Sequence, residues 1–367
     1  MSKLDDARIV INRVDEQMAK LFEERMKASK EVAEFKKENA LSIFDSAREK
    51  ELIERNSGFI SDPLIREYYV NFLKEVMNES KNYQGRIING MKVAYSGVEG
   101  AFAYIASKRM YPTATLVSYS DFTDAYNACL DGSCDAVVLP VENSSAGDVG
   151  TVMDLMFNGS LYINQMIEIE VTQNLMSVKG ASKESIKSVY SHPQALAQCS
   201  SYIKEKGYDS FDYANTALAA KMVSEQNDIT KAAIASVETA KIYNLEIIEN
   251  SINSNRNNST RFASFSRSRY VRPASNNMDE HFILVFTVKN EAGSLAQALN
   301  IIGLNGFNMR SLRSRPMKGL MWNYYFYVEL DGNVNTKAGS DMLTQLKVVC
   351  DRLKLVGTFT TSNICED

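Results

Sequence analysis

The first forty residues carry a regular apolar stripe. Leu4, Ala7, Ile11, Val14, Met18, Leu21, Ala28, Val32 and Phe35 recur at alternate spacings of three and four, with Arg25 standing in the same seam. That period predicts a long amphipathic or coiled-coil-like helix. Such a helix, about 50 Å long at ~1.5 Å per residue, cannot bury its own seam. Two shorter helices, 46–57 and 63–83, are expected against it, together with a second copy of the chain in a homodimer or larger homo-oligomer. From Met91 the pattern shortens to β-like runs such as Met91–Tyr95 and Ala136–Pro140, separated by helix-like stretches and glycine-bearing turns. This predicts an α/β domain with a mainly parallel sheet, running to about Ser268. The segment Arg269–Asp279 is polar and contains a proline. Beyond it the order is strand 282–288, helix 294–304, strands 309–315 and 320–330, helix 341–353 and strand 355–361. Asn250–Asn258 reads as a loop.

Composition sharpens the divisions. Through Gln84 there is one glycine and one proline, whereas seventeen of the eighteen glycines lie beyond, so a boundary is expected near Gly85–Gly90. Hydrophobic residues make up 45% of the 367 and charged ones 23%. No apolar run approaches the ~20 residues of a membrane-spanning helix, which excludes one. A net charge of -4 provides no general field for nucleic acid or an anionic membrane. The five cysteines, 129, 134, 199, 350 and 365, form no CxxC pair, and only two histidines accompany them. Reduced thiols in a cytoplasmic protein are expected, with no metal. The start, MSKLDDARIV, lacks the basic and apolar regions of an export signal.

In the helical segment Arg25 interrupts an apolar seam, a costly place for a guanidinium unless an anion meets it. Lys36, eleven residues on, returns to within about 20° of its azimuth, while Arg8 points ~100° away and would serve another pocket. Asp45, Arg48 and Glu49 share a face of the next helix, and Ser80 and Gln84 a face of the third. Asp45 or Ser46 could equally be an N-cap, with Ser46 and Glu49 as a capping box. Jointly these residues resemble the helical chorismate mutases, whose site runs Arg…Arg…Lys…Asp-x-x-Arg-Glu…Ser-x-x-x-Gln. The resemblance implies that Arg8 of the other subunit, Arg25 and Arg48 hold the substrate's carboxylates. It assigns the ether oxygen to Lys36 and Gln84 and the ring hydroxyl to Asp45 and Glu49. The [3,3] rearrangement needs only a compressed conformer and stabilised charge.

Between 91 and 268 stand Gly97-Val98-Glu99-Gly100-Ala101-Phe102, Glu142-Asn143-Ser144, Ser191-His192-Pro193-Gln194-Ala195-Leu196 and Thr260-Arg261-Phe262. None is a Walker or Rossmann loop, so no cofactor is implied. Each has an ordinary structural alternative: turns for the glycines, caps for Glu142–Ser144, a satisfied histidine rather than a base for His192. Together and in this order they resemble prephenate dehydratase, a fold of two α/β subdomains around a cleft. The resemblance makes Thr260 the donor to the leaving hydroxyl and Arg261 a carboxylate ligand, with Glu142, Asn143, Ser144 and Gln194 around the cleft. Val98 and Ala101 depart from the common Gly-Pro-x-Gly-Thr-Phe, and Ala101 removes a hydroxyl.

Residues 281–361 resemble a phenylalanine-sensing ACT domain, which is α+β and ferredoxin-like. The resemblance rests on Gly293-Ser294-Leu295, on Arg313-Ser314-Arg315-Pro316, and on Lys318-Gly319 with the aromatic strand from Trp322. Phenylalanine as a feedback effector is implied, bound by these two segments. The loop usually reads Glu-Ser-Arg-Pro, so Arg313 reverses a charge beside an amino-acid site. The chain is therefore expected to be multidomain: an all-α mutase domain over 1–88, an α/β dehydratase over 91–268 and an ACT domain over 280–367. It would turn chorismate into prephenate and prephenate into phenylpyruvate. A dehydratase whose helices survive only as a dimerising arm, and a ligand sensor without turnover, are the rival readings.

Overall fold

A computed structural model describes residues 2–254, 258–271, 279–317 and 323–362. The chain divides into two compact units, Met1–Lys92 and Val93–Asp367. Lys318, Gly319, residues 320–322 of the expected strand, residues 255–257 of the asparagine-rich loop and Cys365 lie outside the described residues. No described helix is long and apolar enough to cross a membrane.

The first unit is three helices: α1 (Lys3–Glu38), α2 (Ser46–Ser57) and α3 (Pro63–Asn89). Each begins where a short side chain accepts from first-turn amides: Ser2 for α1, Asp45 for α2, and Asp62 with Pro63 behind it for α3. α3 runs six residues past its expected end, straight through Gly85. Its buried residues, Leu73, Met77, Ser80 and Gln84, meet the end of α1 that carries the buried Ser29 and Ala33. Nothing in this unit covers the other end: Leu4, Ile11 and Leu21 are each more than half exposed.

The second unit runs β1 (Lys92–Ser96), α4 (Phe102–Met110), β2 (Thr115–Tyr119), α5 (Phe122–Leu130), β3 (Ala136–Asn143), β4 (Gly147–Asp148), α6 (Gly150–Asn158) and β5 (Tyr162–Glu170). It continues through β6 (Asn174–Ser177), β7 (Ser188–Ser191), α7 (Pro193–Gln198), α8 (Ser200–Lys206), β8 (Asp209–Asp212), α9 (Thr216–Gln226), β9 (Lys231–Ala235), α10 (Val237–Ile242) and β10 (Glu246–Glu249). It closes with β11 (Ser259–Ser266), β12 (Glu280–Val288), α11 (Ser294–Leu304), β13 (Met309–Pro316), β14 (Tyr324–Asp331), α12 (Lys337–Val349) and β15 (Cys350–Ser362).

Two sheets result. The smaller, ordered β10-β6-β9-β7-β8, forms one lobe; the larger, ordered β13-β14-β12-β15-β5-β11-β3-β1-β2 with β4 on β3, spans the other lobe and the C-terminal module. The expected mainly parallel sheet is corrected to a mixed one: β11 enters antiparallel between β3 and β5, and β6 is antiparallel to β9 and β10. The β-α-β-β-α-β run from β12 to β15 is joined to the lobe by a parallel pairing of β15 with β5. At Gly357 that joint leaves no room for a side chain, because a Cβ would lie 2.0 Å from the Ile163 carbonyl oxygen. One apolar core crosses it, placing Val137, Leu139 and Met153 with Ile283, Tyr325 and Phe359.

Candidate functional sites

In the helical unit Arg25 and Ser80 meet directly, a guanidinium nitrogen donating to the serine oxygen and, at 3.4 Å, to the Val76 carbonyl. Ser80 itself donates to that carbonyl at 2.8 Å. One turn on along both helices, Gln84 Nε2 donates to Ser29 Oγ at 3.1 Å, and Gln84 Oε1 is buried without a partner. Lys36 Nζ donates to the Ile43 carbonyl at 2.7 Å, next to Gly85. Arg25, Lys36, Ser80 and Gln84 therefore gather where α1 meets α3, with oxygens of neutral groups around the two cations. Burial holds the Arg25 guanidinium below its ordinary pKa, since no carboxylate compensates for its lost hydration.

The remaining four lie elsewhere. Asp45 is the N-cap of α2, accepting from the Arg48 amide at 3.0 Å. Arg48 pairs with Glu51 at 2.8 Å on the exposed side, and Glu49 with Lys81 at 2.9 Å. Ser46 is thus no cap, and Glu49 turns to Lys81 instead of closing a capping box. Arg8 sits seventeen residues before Arg25, about 25 Å along the axis, too far to share its pocket within one chain.

In the larger unit a cavity of ≈ 330 Å³ opens between the lobes. Its back is the double crossover between them, where Val171 N donates to the Asn258 carbonyl and Ile252 N to the Gln173 carbonyl. Thr260 on β11 lies opposite Asn143 on β3 in the antiparallel ladder. Asn143 Nδ2 donates to Thr260 Oγ1 at 2.9 Å and to Asn258 Oδ1 at 2.9 Å, while its Oδ1 accepts from the amides of Ser145 and Ala146. With its oxygen occupied as an acceptor, the Thr260 hydroxyl is left with its proton to give. The Asn143 amide offsets the charge that such donation leaves behind.

Of the six residues expected around this cleft, Asn143, Gln194 and Thr260 line it. Ser144 stands behind, its hydroxyl accepting from Ser259 N. Arg261 is the substantive departure. Successive residues of a strand face opposite ways, so its guanidinium lies on the side away from Thr260. Both its terminal nitrogens reach the Glu329 carboxylate at 2.8 Å, and Glu142 lies 3.5 Å away. Burial alone would lower its pKa, but the bond to Glu329 carries it above the ordinary value. Arg313, expected beside an effector, pairs with Glu142 and, at 2.9 Å, with Asp148. Arg315 lies 3.4 Å from Asp154. His192 caps α7, its Nδ1 accepting from Gln194 N, and it lines the cavity beside Gln194.

Among the described residues the lining contains no lysine or arginine. The donors that the described residues offer an anion there are Thr260, the Asn258 Nδ2 that has no partner among them, and the first turns of α4 and α9. The N-cap of α4 is Ala101, which supplies no side-chain acceptor and leaves that turn's amides open, while Gly97 and Gly100, at φ +104° and +88°, shape the approach. Asn258 and Gln173, both buried in the cavity wall, escaped the sequence reading. The only trace of Asn258 was its place two residues before Thr260, in a stretch read as a loop.

Comparison with known proteins fits this division. The family model described as chorismate mutase type II matches residues 7–85, and that described as prephenate dehydratase matches residues 93–269. A bifunctional chorismate mutase/prephenate dehydratase of Aquifex aeolicus is 30% identical over 367 residues, covering 98% of both chains. Among solved structures, GqqA, described as a novel type of quorum quenching acylase, superposes with a TM-score of 0.68 at 27% identity, over 74% of this chain and 98% of its own. Prephenate dehydratase of Arthrobacter aurescens in complex with L-Phe gives a TM-score of 0.67 at 24% identity, over 74% and 90%.

Proposed function

The chain belongs to the bifunctional chorismate mutase/prephenate dehydratases, and from that membership we propose how its residues divide the work. It is an enzyme of phenylalanine biosynthesis that rearranges chorismate to prephenate and converts prephenate to phenylpyruvate.

Residues 1–88 form the mutase domain. Arg25 grips a substrate carboxylate, and Lys36 and Gln84 stabilise charge on the breaking ether bond. Turning the Gln84 amide over would let Ser29 donate to it and free its NH2 for the substrate. The domain works as a homodimer. Among its described residues the buried apolar side chains are Ala33, Leu73 and Met77, too few for a free-standing core, while α1 leaves an apolar stripe open. Pairing through that stripe brings Arg8 of the partner subunit toward the pocket. Asp45, Arg48 and Glu49 close over substrate only after giving up their present partners.

Residues 91–268 form the dehydratase. The single observation that carries this reading is the Asn143 amide held 2.9 Å from Thr260 Oγ1 on the cavity wall. Thr260 protonates the departing hydroxyl as CO₂ leaves, and aromatisation drives the step. Gln194, Asn258 and the open turn of α4 receive the two carboxylates. Glu142, Ser144 and Arg261 act from behind by fixing β3 and β11.

Residues 280–367 form an ACT domain, supported by the strand order β15-β12-β14-β13 of the ferredoxin-like fold. Its effector is phenylalanine, taken at Gly293–Leu295 and the Arg313–Pro316 segment, where the charges of Arg313 and Arg315 are already balanced by carboxylates. The enzyme acts in the cytoplasm.

A coupled assay supplied with chorismate tests these assignments. Wild type should release phenylpyruvate and be slowed by phenylalanine, through a coupling on the order of 1–3 kcal/mol. Thr260→Val should lose phenylpyruvate by about a hundredfold or more while prephenate accumulates. Undiminished phenylpyruvate from Thr260→Val removes Thr260 as the donor, and an enzyme indifferent to phenylalanine removes the effector.

A further inference from the structure

The carboxylates beside the Asn143–Thr260 pair pose an electrostatic problem. Strands β3 and β4 close a hairpin in which Glu142 faces Asp148 and Asn143 faces Gly147. The tip of that hairpin, Asn143, Ala146, Gly147 and Asp148, is one side of the cavity. Like charges directly opposite each other across an antiparallel pair push it open. Here both side chains are about three-quarters buried, at 25% and 26% exposure, where salt and water screen poorly. Arg261 relieves little of this, because its fork is spent on Glu329 and it stands 3.5 Å from Glu142. The bridging charge comes from the C-terminal module. Arg313 on β13 hydrogen-bonds Glu142 through one terminal nitrogen and sets the other 2.9 Å from Asp148 as an ion pair without hydrogen-bond alignment, with its guanidinium 5.7 Å from the centre of the Tyr327 ring.

We propose that Arg313 is a positioning residue for the dehydratase reaction: by bridging Glu142 and Asp148 it keeps the β3–β4 hairpin closed and the Asn143 amide against Thr260. The inference rests on the dehydratase reading above and extends it, since it gives the C-terminal module a part in catalysis before any effector binds. Arg313 touches neither substrate nor reacting atoms; it acts through the two carboxylates.

Steady-state turnover of prephenate by the full-length chain tests it. Arg313→Gln should lower kcat on the order of tenfold and leave KM within about twofold, because Asn143 shifts off Thr260 while the substrate contacts remain. Adding Asp148→Asn to that variant removes the repulsion and should return kcat to within about threefold of wild type, although the second substitution restores no ion pair. A merely structural role predicts the reverse, a double variant at least as impaired as Arg313→Gln. The proposal is overturned if Arg313→Gln keeps the wild-type kcat, or if Asp148→Asn fails to restore it. Should melting followed by circular dichroism show that Arg313→Gln does not fold, the double variant decides alone: folded and active supports the bridge, unfolded or inactive refutes it. A wild-type chain that leaves prephenate intact would count against the dehydratase reading and is distinguished by the same assay.

Discussion

The two units treat a partly buried arginine in opposite ways. Arg25 is surrounded by neutral oxygens, from Ser80 and the Val76 carbonyl, and burial lowers its pKa. Arg261 is met by a carboxylate that is itself 1% exposed, and is held charged above its ordinary value. Among the described residues the first guanidinium has no counter-ion, so a substrate carboxylate can supply one. The second already has its counter-ion within the protein, and works as a strut between β11 and β14. Both positions look alike in a family motif; the neighbours decide which arginine binds.

Three experiments bear on that contrast. The largest effect belongs to the strut. Arg261→Met leaves the Glu329 carboxylate buried and unpaired, which should cost about 3–5 kcal/mol in urea unfolding of the larger unit. Arg261→Met with Glu329→Leu should recover most of that stability; a single variant as stable as wild type would break the contrast. The next effect belongs to the binder. Arg25→Met should slow the mutase by about a hundredfold while leaving the unfolding midpoint at or above wild type, because it orphans no carboxylate. A large loss of stability there would make Arg25 a strut as well. The smallest effect is the absence of one. A guanidinium whose pKa is lowered can lose its proton only toward alkaline pH, and Gln84 has none to lose. The mutase rate should therefore stay flat across the neutral range, and a steep acid optimum in its pH profile would contradict the role given to Gln84.

Local periodicity carried much of the architecture. The three-and-four spacing of α1 was legible because a helix stripe is written within a few turns. The end of α3 was not, because Gly85 reads as a breaker. Its cost of about 1 kcal/mol is smaller than what the continuing ladder and the packing beside Ile43 return. The mixed sheet was hidden for another reason: β11 pairs with strands about a hundred residues earlier, and nothing in Ser259–Ser266 names its neighbours. The same holds for sites. Thr260 and Asn143 were each visible as motif residues, but the hydrogen bond between them spans 117 positions. Charge partners were the least legible. Glu329 and Asp148 belong to no motif, so Arg261 and Arg313 could be read only as free cations.

The seam at Gly357 sets limits on motion. Because β15 and β5 share backbone hydrogen bonds across a gap too narrow for a methyl group, the C-terminal module cannot swing like a door on a linker. Any message from that end must cross an unbroken fabric of strands, as a change of twist or a small slide. A tight, stiff transmission of this kind favours small displacements over long reach.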